Sequence, residues 1–344
     1  MNKIPNSTNK VCVTYSTSSA LTPTAVALGK FDGLHRGHQQ VIQPILNQVS
    51  RQKFAHEHTY STVISFYPHP QEFFTGKPCT LLTPLKEKVQ QLQNWGIEQL
   101  ILLPFNREMA ALSPQDFVEK ILVQQLHTRM ISVGEDFRFG KQRSGTATDL
   151  QMIAAKFGIP VFIIPSYTCE GERISSSYIR QTLSEGNLHR AKLLLDHPYY
   201  LTGKVVKGQQ LSRTIGFPTA NIQIPLNKFL PRHGTYAVKA FILDESTNAS
   251  PVLEHLLPIG LGVMNIGYHP TVNDSHQLLE VYLLDWSGDL YGKTLRVQLE
   301  EFLRPEQEFS CLQTKKAQMI ADCGIASSLL MANQSKDYET RFVA

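Results

Sequence analysis

The chain has 344 residues, of which 42% are hydrophobic and 18% charged, and its formal net charge at pH 7 is +4. This apolar content excludes an intrinsically disordered protein, and the small positive charge excludes the basic surface typical of nucleic-acid-binding proteins. At about 100–200 residues per domain, the length predicts two or three domains.

The chain begins with a polar segment. Its first 24 residues are rich in Ser, Thr and Asn and contain no apolar signal core, and no apolar run approaches a membrane span of about 20 residues. The five cysteines form no C-x-x-C pair, which favours free thiols in a reducing compartment. We therefore expect a cytoplasmic protein with no membrane partner.

Residues 25–186 alternate predicted strands with predicted helices. Short apolar runs predict strands at residues 25–28, 62–66, 100–103, 130–133 and 161–164. Apolar residues at three- and four-residue spacing predict helices at 41–49, 85–95 and 149–157, and a Ser-Pro pair at 113–114 predicts the start of another. Strands and helices that alternate in this way predict a Rossmann-like α/β domain with a parallel sheet.

The pattern changes near residue 198. A helix is predicted at 188–195, followed by short strands at 235–242, 259–265, 278–285 and 295–302. The last two strands flank Trp286-Ser287-Gly288-Asp289, which predicts a β-hairpin. We expect a small all-β domain with a C-terminal helix at 310–327. The predicted organisation is a first domain (1–186), a linker helix (187–198), a second domain (199–330) and a polar tail (331–344).

Residues 29–38, GKFDGLHRGH, follow the first predicted strand directly and open the first helix. A helix start at the carboxyl end of a strand binds anions in α/β sheets, and Gly33 and Gly37 let the backbone approach a phosphate. His35 and His38 share one side of the first turn, where two imidazoles can stabilise charge that builds on a phosphate. Alternatively, the histidines cap the helix or form a metal pair that lacks further ligands.

Residues 174–180, ISSSYIR, form a second pattern suited to phosphate. Ser176 and Ser177 can cap a helix and donate their hydroxyls to phosphate oxygens, and Arg180, one turn later, can bind two oxygens at once. Alternatively, the serines are only a helix cap and Arg180 is a surface residue.

Two patterns mark the second half of the chain. Residues 216–221 have the sequence GFPTAN, preceded by GKVVKG at 203–208. Strand alternation places Glu280 on one face of its strand and apolar residues on the other, namely Leu279, Val281 and Leu283. Alternatively, P-T-A-N is only a turn, and Glu280 is an edge-strand charge that points to solvent.

Together these patterns resemble the bacterial bifunctional riboflavin kinase/FAD synthetases. Residues 29–38 resemble the G-x-F-D-G-x-H-x-G-H motif of the adenylyltransferase half, which is similar to other H-x-G-H nucleotidylyltransferases, and P-T-A-N resembles the signature of riboflavin kinases. Further segments that resemble the family are FYPHP at 66–70, VGEDFRFG at 133–140, ISSSYIR at 174–180 and LRPEQEF at 303–309. The resemblance covers about residues 25–327 in the family's domain order.

For the first domain, the resemblance implies an FMN adenylyltransferase of the α/β nucleotidylyltransferase fold. It implies catalytic roles for His35 and His38 and flavin contacts at Pro68, His69 and Asp136. The nucleotide-binding residues that it implies are Gly29, Phe31, Gly33, His38, Ser176, Ser177 and Arg180. Lys30 and Ser177 depart from the family pattern, which often has Asn and Thr there.

For the second domain, the resemblance implies a riboflavin kinase with the fold of a small all-β Greek-key barrel and a C-terminal helix. Thr219 and Asn221 would hold Mg²⁺ and nucleotide phosphate, Glu280 would be the general base for the ribityl 5′-hydroxyl, and Arg304 would contact the flavin ring. Gly208 would belong to the nucleotide-binding loop. The departures from the family pattern in this half are Ser212, Met264 and His269.

The activity that the resemblance implies is two-step flavin cofactor synthesis. Riboflavin and ATP give FMN and ADP, and FMN and ATP then give FAD and pyrophosphate. The partners are these small molecules, with Mg²⁺ as the cofactor. Two alternatives remain: a flavin-binding sensor or carrier with vestigial catalysis, and an adenylyltransferase for another phosphate with a degenerate second domain.

Overall fold

The structure is a computed structural model that describes residues 10–51, 57–207, 216–243, 258–267 and 276–342. The chain forms two compact units, Met1–Ser176 and Ser177–Ala344. No helix within these described ranges is both long enough and apolar enough to cross a membrane. The change from an α/β unit to a β-rich unit agrees with the sequence, whereas the domain limits drawn from the sequence stay a prediction.

The first unit is built on one six-stranded sheet in which all neighbouring strands are parallel. In spatial order the strands are β1 (Cys12–Thr14), β4 (Gln99–Pro104), β3 (Tyr60–Tyr67), β2 (Thr24–Leu28), β5 (Thr128–Gly134) and β8 (Val161–Ile164). Two antiparallel ribbons join β6 (Arg138–Phe139) to β7 (Gly145–Thr146) and β9 (Thr168–Cys169) to β10 (Glu172–Arg173). Every residue of β2 is buried, because helices cover both faces of a parallel sheet.

The helices of the first unit divide between the two faces of the sheet. They are α1 (Arg36–Arg51), α2 (Pro70–Thr75), α3 (Leu85–Asn94), α4 (Arg107–Ala111), α5 (Pro114–Asp116), which continues as a π-helix (Phe117–Gln125), and α6 (Ala147–Ala155). Alternate residues of β2 pack on opposite sides, with Ala25 and Ala27 in the cluster of α1 and α3, and Val26 and Leu28 in that of the π-helix and α6.

The predicted strands and helices of the first unit are all present, which confirms the Rossmann-like parallel sheet. The sequence does not predict β1, because Cys12–Thr14 is short and lies in a polar segment. Its strand conformation comes from pairing with β4, in which Val13 lies opposite Leu100. A tertiary contact, not a local pattern, therefore creates this edge strand.

The second unit is a closed antiparallel barrel preceded by α7 (Ser176–Ser184) and α8 (Leu188–Leu195). In spatial order its strands are β11 (Tyr200–Val206), β12 (Ala220–Pro225), β15 (His276–Leu283), β14 (Gly260–Ile266), β13 (Gly234–Leu243) and β16 (Thr294–Pro305). Strands β13, β14 and β15 are consecutive neighbours, and β16 returns to lie beside β13. This is the spatial order of a Greek key, as the family resemblance implies.

The predicted β-hairpin around residues 286–289 is wrong. Strand β15 pairs with β12 and β14, whereas β16 pairs with β11 and β13. The connecting residues, 284–293, make local turns, in which Trp286 Nε1 donates to the carbonyl of Gly288 and Asp289 accepts from the amide of Tyr291. This segment is the Greek-key crossover, because it carries the chain to the far side of β13.

A C-terminal helix, α9 (Leu312–Phe342), covers one side of the barrel. Ala326 and Leu330 of α9 pack on Ala237 of β13, which leaves both faces of that strand buried. The helix runs beyond its predicted end at residue 327, because the polar residues that follow include neither Gly nor Pro, which would break a helix.

Two candidate active sites

The carboxyl ends of three neighbouring strands bring the motifs of the first unit to one edge of its sheet. Residues 29–38 follow β2, Pro68 and His69 follow β3, and Asp136 follows β5. Strand β2 lies between β3 and β5, so the three segments are adjacent. This edge is where α/β sheets bind their ligands.

The turn between β2 and α1 has an unusual backbone. Gly33 has a φ of 94°, and Phe31 and Leu34 have φ values of 47° and 44°, which non-glycine residues rarely adopt. Thr83 holds the turn from outside: its hydroxyl accepts from the Gly33 amide at 3.1 Å, and its amide donates to Asp32 Oδ1 at 3.1 Å. The turn is strained and held by tertiary contacts, as functional turns often are.

The two histidines of the first motif are stacked. The rings of His35 and His38 lie 3.7 Å apart at an angle of 18°, and His35 Nδ1 accepts from the His38 amide at 3.3 Å. Within the described residues, His38 Nδ1 is buried and has no hydrogen-bond partner. Burial lowers the pKa of His38 well below 6.5, and charge on His35 and Lys88 lowers it further. His38 is therefore a neutral imidazole at pH 7, and its one N–H group can donate a hydrogen bond to a phosphate oxygen.

Lys88 belongs to this region although it lies in none of the sequence motifs. It lies on α3, is 6% exposed, and donates from Nζ to the Lys30 carbonyl at 3.2 Å. Burial lowers its pKa, while the nearby charge of Asp32 opposes that change. The sequence does indicate that Lys88 is buried. It lies three residues after Leu85 and four before Leu92, and so falls on the apolar face of α3.

The second phosphate motif reaches the first through Ser176. Its hydroxyl donates to the Asp32 carbonyl at 2.7 Å, which joins the serine-rich segment to the β2–α1 turn. Ser177 is exposed at the start of α7. Arg180 lies in the second unit, with its guanidinium carbon 5.7 Å from the centre of the Phe229 ring.

The residues predicted to contact the flavin in the first unit have defined partners. His69 caps α2, because its Nδ1 accepts from the Gln71 amide at 3.2 Å. Asp136 is exposed and pairs with Arg173 at 2.6 Å. Arg173 comes directly before the serine-rich segment, so this ion pair joins the loop after β5 to that segment. Sequence patterns alone do not show this pairing.

Two predicted nucleotide contacts are packed inside this turn. The Phe31 side chain is buried and lies 5.2 Å from the His38 ring. Gly29 lies against the Phe31 ring. A Cβ on residue 29 would lie only 3.1 Å from that ring. Both residues shape the turn that carries the histidines.

In the second unit, the predicted base lies between two asparagines. In the register of the barrel, Glu280 of β15 is opposite Asn221 of β12 and Asn265 of β14. Directly paired residues on adjacent strands share one face of the sheet. The apolar residues on the opposite face of β15 are buried, as the alternation predicts: Leu279, Val281 and Leu283.

A pocket brings together most of the predicted kinase residues. Thr219, Glu280 and Arg304 line it, together with Asn265. The other lining residues are Thr235, Val263, Tyr282, Glu306, Gln307, Phe309, Lys315, Met319, Asp322 and Cys323. Burial raises the pKa of the Cys323 thiol to about 11, with a further contribution from the charge of Asp322, so this thiol stays protonated. Burial likewise raises the pKa of the Tyr282 hydroxyl.

The oxygen ligands suited to Mg²⁺ are present on one face of the barrel. The Thr219 hydroxyl and the Asn221 amide come from the P-T-A-N segment, and the Glu280 carboxylate lies opposite Asn221. Mg²⁺ prefers such hard oxygen ligands together with water and substrate phosphates. Among the described residues, His, Cys, Asp and Glu form no metal-binding cluster of three or more. The oxygens of Thr219, Asn221 and Glu280 are of the type that such an ion takes.

Three residues that the sequence singled out have no structural description. Gly208, Ser212 and His269 lie outside the described residues. Met264, the remaining departure from the family pattern in the second domain, is fully buried in β14.

Comparisons with known proteins cover both units. A family model described as FAD synthetase matches residues 17–178, and one described as riboflavin kinase matches residues 195–330. The chain is 39% identical over 299 residues to a bifunctional riboflavin kinase/FMN adenylyltransferase of Escherichia coli K12, covering 86% of this chain and 90% of that protein. A Listeria monocytogenes protein of the same name is 36% identical over 301 residues, covering 86% and 89%.

The structural comparison also covers nearly the whole chain. A crystal structure titled macrolide-efflux protein from Streptococcus pneumoniae has a TM-score of 0.74 and 27% sequence identity. The match covers 91% of this chain and 97% of that one. Both units therefore occur together, in this order, in other proteins.

Proposed function

Because the chain belongs to the bifunctional riboflavin kinase/FMN adenylyltransferase family, we propose that its two sites divide the two reactions of that family between its two units. The protein makes FMN and ADP from riboflavin and ATP, and makes FAD and pyrophosphate from FMN and a second ATP. The pocket of the barrel is assigned to the first reaction and the sheet edge beside α1 to the second.

In the barrel, Glu280 acts as the general base. It removes the proton of the ribityl 5′-hydroxyl while that oxygen attacks the γ-phosphorus of ATP and ADP leaves. Thr219 and Asn221 bind and orient the phosphates, which is most of what a phosphoryl transfer requires of a protein. Mg²⁺, when it is bound there with ATP, neutralises phosphate charge. The placement of Glu280 opposite Asn221, in one pocket with Thr219 and Arg304, supports these roles.

At the sheet edge, FMN needs no base because its phosphate is already ionised. An FMN phosphate oxygen attacks the α-phosphorus of ATP, and pyrophosphate leaves. The imidazoles of His35 and His38 donate hydrogen bonds to the α-phosphate as charge builds on it. The stacking of the two rings on one side of that turn supports this assignment.

The leaving pyrophosphate is assigned to Ser176, Ser177 and Arg180. This role depends on their motif and on the hydrogen bond from Ser176 to the β2–α1 turn. The flavin contacts of Pro68, His69 and Asp136 are proposed on their position at the same sheet edge. No covalent intermediate with the protein is required.

The observation that carries the proposal is the placement of Glu280 beside Asn221 and Asn265 in a pocket that also contains Arg304. The test is to incubate the protein with riboflavin, ATP and Mg²⁺ and to separate FMN from FAD by chromatography. Both products are expected. A flavin sensor or carrier would bind riboflavin without consuming ATP, and the absence of both products would overturn the proposal.

A further inference from the structure

The pocket of the barrel has one wall that the mechanism above does not use. Lys315, Met319, Asp322 and Cys323 of α9 line it. Their spacing of three and four residues puts them on one face of the helix. The C-terminal helix is therefore part of the binding site as well as a cover for the barrel.

Asp322 and Arg304 form a closely fitted ion pair in this wall. Arg304 Nε lies 3.0 and 3.1 Å from the two carboxylate oxygens, and Nη2 lies 2.8 Å from Oδ2. The Asp322 side chain is only 3% exposed and that of Arg304 20%. Gln318, one turn earlier on α9, donates to Oδ1 at 2.9 Å. Both carboxylate oxygens are engaged, so Asp322 is fixed in place.

The rest of the guanidinium is also held. Nη1 donates to the carbonyl of Pro305 at 3.1 Å, and the guanidinium carbon lies 5.7 Å from the centre of the Phe309 ring. Within the described part of the chain, these bonds occupy three of the five N–H groups of an arginine, which leaves two for a ligand in the pocket. Arg304 thus has a fixed plane with donors still available.

We propose that Asp322 is a positioning residue for riboflavin: it orients Arg304 and neutralises its charge, so that the pocket offers N–H donors to the oxygens of an uncharged ring. This inference rests on the proposed kinase function of the pocket. An unpaired guanidinium binds phosphate strongly and would compete for the phosphates of ATP in the same pocket. The paired guanidinium keeps its hydrogen-bonding geometry without that attraction.

The test compares Asp322→Asn with the wild type. Asparagine keeps the shape but loses the charge, so the dissociation constant of riboflavin, measured by flavin fluorescence, should rise about tenfold, as for the loss of one charge-assisted hydrogen bond. The KM of ATP should stay within about twofold. Inorganic phosphate should compete with riboflavin in the variant and not in the wild type. A general packing defect would not produce this competition.

Two further variants separate positioning from folding. Asp322→Glu keeps the charge and should recover part of the riboflavin affinity. In an Arg304→Gln background, Asp322→Asn should cause no further loss, because the residue acts through Arg304. This double variant also contains no uncompensated charge, so it decides the question if Asp322→Asn alone unfolds. The matched control is Asp196→Asn at the exposed end of α8, which should behave as the wild type.

Three results would overturn the inference. They are an unchanged riboflavin dissociation constant in Asp322→Asn, an equal weakening of riboflavin and ATP, and an additional loss in the Arg304→Gln background. A wild-type protein that makes no FMN would instead overturn the proposed function. The two failures are thus distinguishable.

Discussion

Glu280 lies between two asparagines and shares its pocket with Thr219 and Arg304, so its replacement isolates one reaction. Glu280→Gln keeps the shape of the side chain but cannot accept the proton. FMN formation should fall on the order of 10²–10⁴-fold, the usual contribution of a general base. FAD formation from supplied FMN should stay at the wild-type rate. Chromatography of both products measures the two rates, and an equal loss of both would contradict the assignment.

His38 gives the reverse experiment in the first unit. His38→Ala removes a hydrogen-bond donor to the charge that develops on the α-phosphate, so FAD formation should fall roughly 10²–10³-fold. Phosphorylation of riboflavin should continue. His58→Ala is the matched control, because this histidine is exposed, lies outside the motif and pairs with Glu98 at the surface. FAD synthesis within about twofold of wild type in His38→Ala would refute the role of the motif.

The lowered pKa of His38 makes the stability of the first unit depend on pH. Burial is the main cause, and charge on His35 and Lys88 adds to it. Below about pH 6.5 the unfolded chain binds a proton that the folded unit excludes, so acid favours unfolding. Wild type should lose at most about 1.4 kcal/mol of unfolding free energy for each pH unit below that value through this residue. Urea unfolding between pH 7.5 and 5.5 should show a smaller loss for His38→Gln, and identical losses would contradict the cause.

Sequence patterns could predict the residues that act within a motif, such as His35, His38 and Glu280. Lys88 and Asp322 lie outside these motifs. Each contacts a partner distant in the chain: Lys88 donates to the Lys30 carbonyl, and Asp322 pairs with Arg304. A single sequence shows that Lys88 interrupts an apolar helix face, but only the fold shows which group it meets.

Close packing between neighbouring strands explains why residue 262 of β14 is a glycine. A Cβ on Gly262 would lie 2.3 Å from the Tyr282 carbonyl, whereas a Cβ on Gly260 would lie 3.6 Å from Leu283, an ordinary contact. Gly262→Ala should therefore destabilise the barrel by about 1–3 kcal/mol or more, the usual cost of overpacking. Gly260→Ala, on the same strand, should be nearly neutral.

Thermal unfolding of the two glycine variants tests this prediction. The transition of the barrel should shift to lower temperature in Gly262→Ala alone, and FMN formation should fall with it. Adenylylation of supplied FMN should be unaffected, since the change lies in the second unit. Equal transition temperatures for the two variants would show that the strands move apart without cost.

Local signals were sufficient for elements whose own residues determine them. The strand β2 is apolar throughout, and α8 ends as predicted where Asp196 has a φ of 68°. Local signals failed for β1, because a distant strand determines its conformation. They also failed after β15, because a connection of that length can form either a hairpin or a crossover. Strand pairing in a closed barrel depends on all six strands and not on one turn.

The serine-rich motif at 174–180 spans the division between the two units. Ser176 bonds to Asp32 in the first unit, whereas Arg180 lies over Phe229 in the second. In α7, the Leu183 carbonyl accepts from the Arg232 amide at 3.0 Å. The helix α7 therefore contributes to the stability of the second unit, although its motif is assigned to the second reaction, the adenylylation of FMN.

This arrangement predicts which fragment of the chain is an autonomous riboflavin kinase. Residues 177–344 keep nearly all of α7, the pocket and α9, and they exceed the roughly 100 residues of a typical domain. The fragment should make FMN at a rate within about threefold of the full chain and make no FAD. A shorter fragment, residues 187–344, follows the domain limits predicted from the sequence and loses the bond between Leu183 and Arg232, so it should unfold at a lower temperature. Circular dichroism and ATP-dependent FMN formation test both fragments. If residues 177–344 fold but make no FMN, the kinase requires the first unit, and the two activities are not separable.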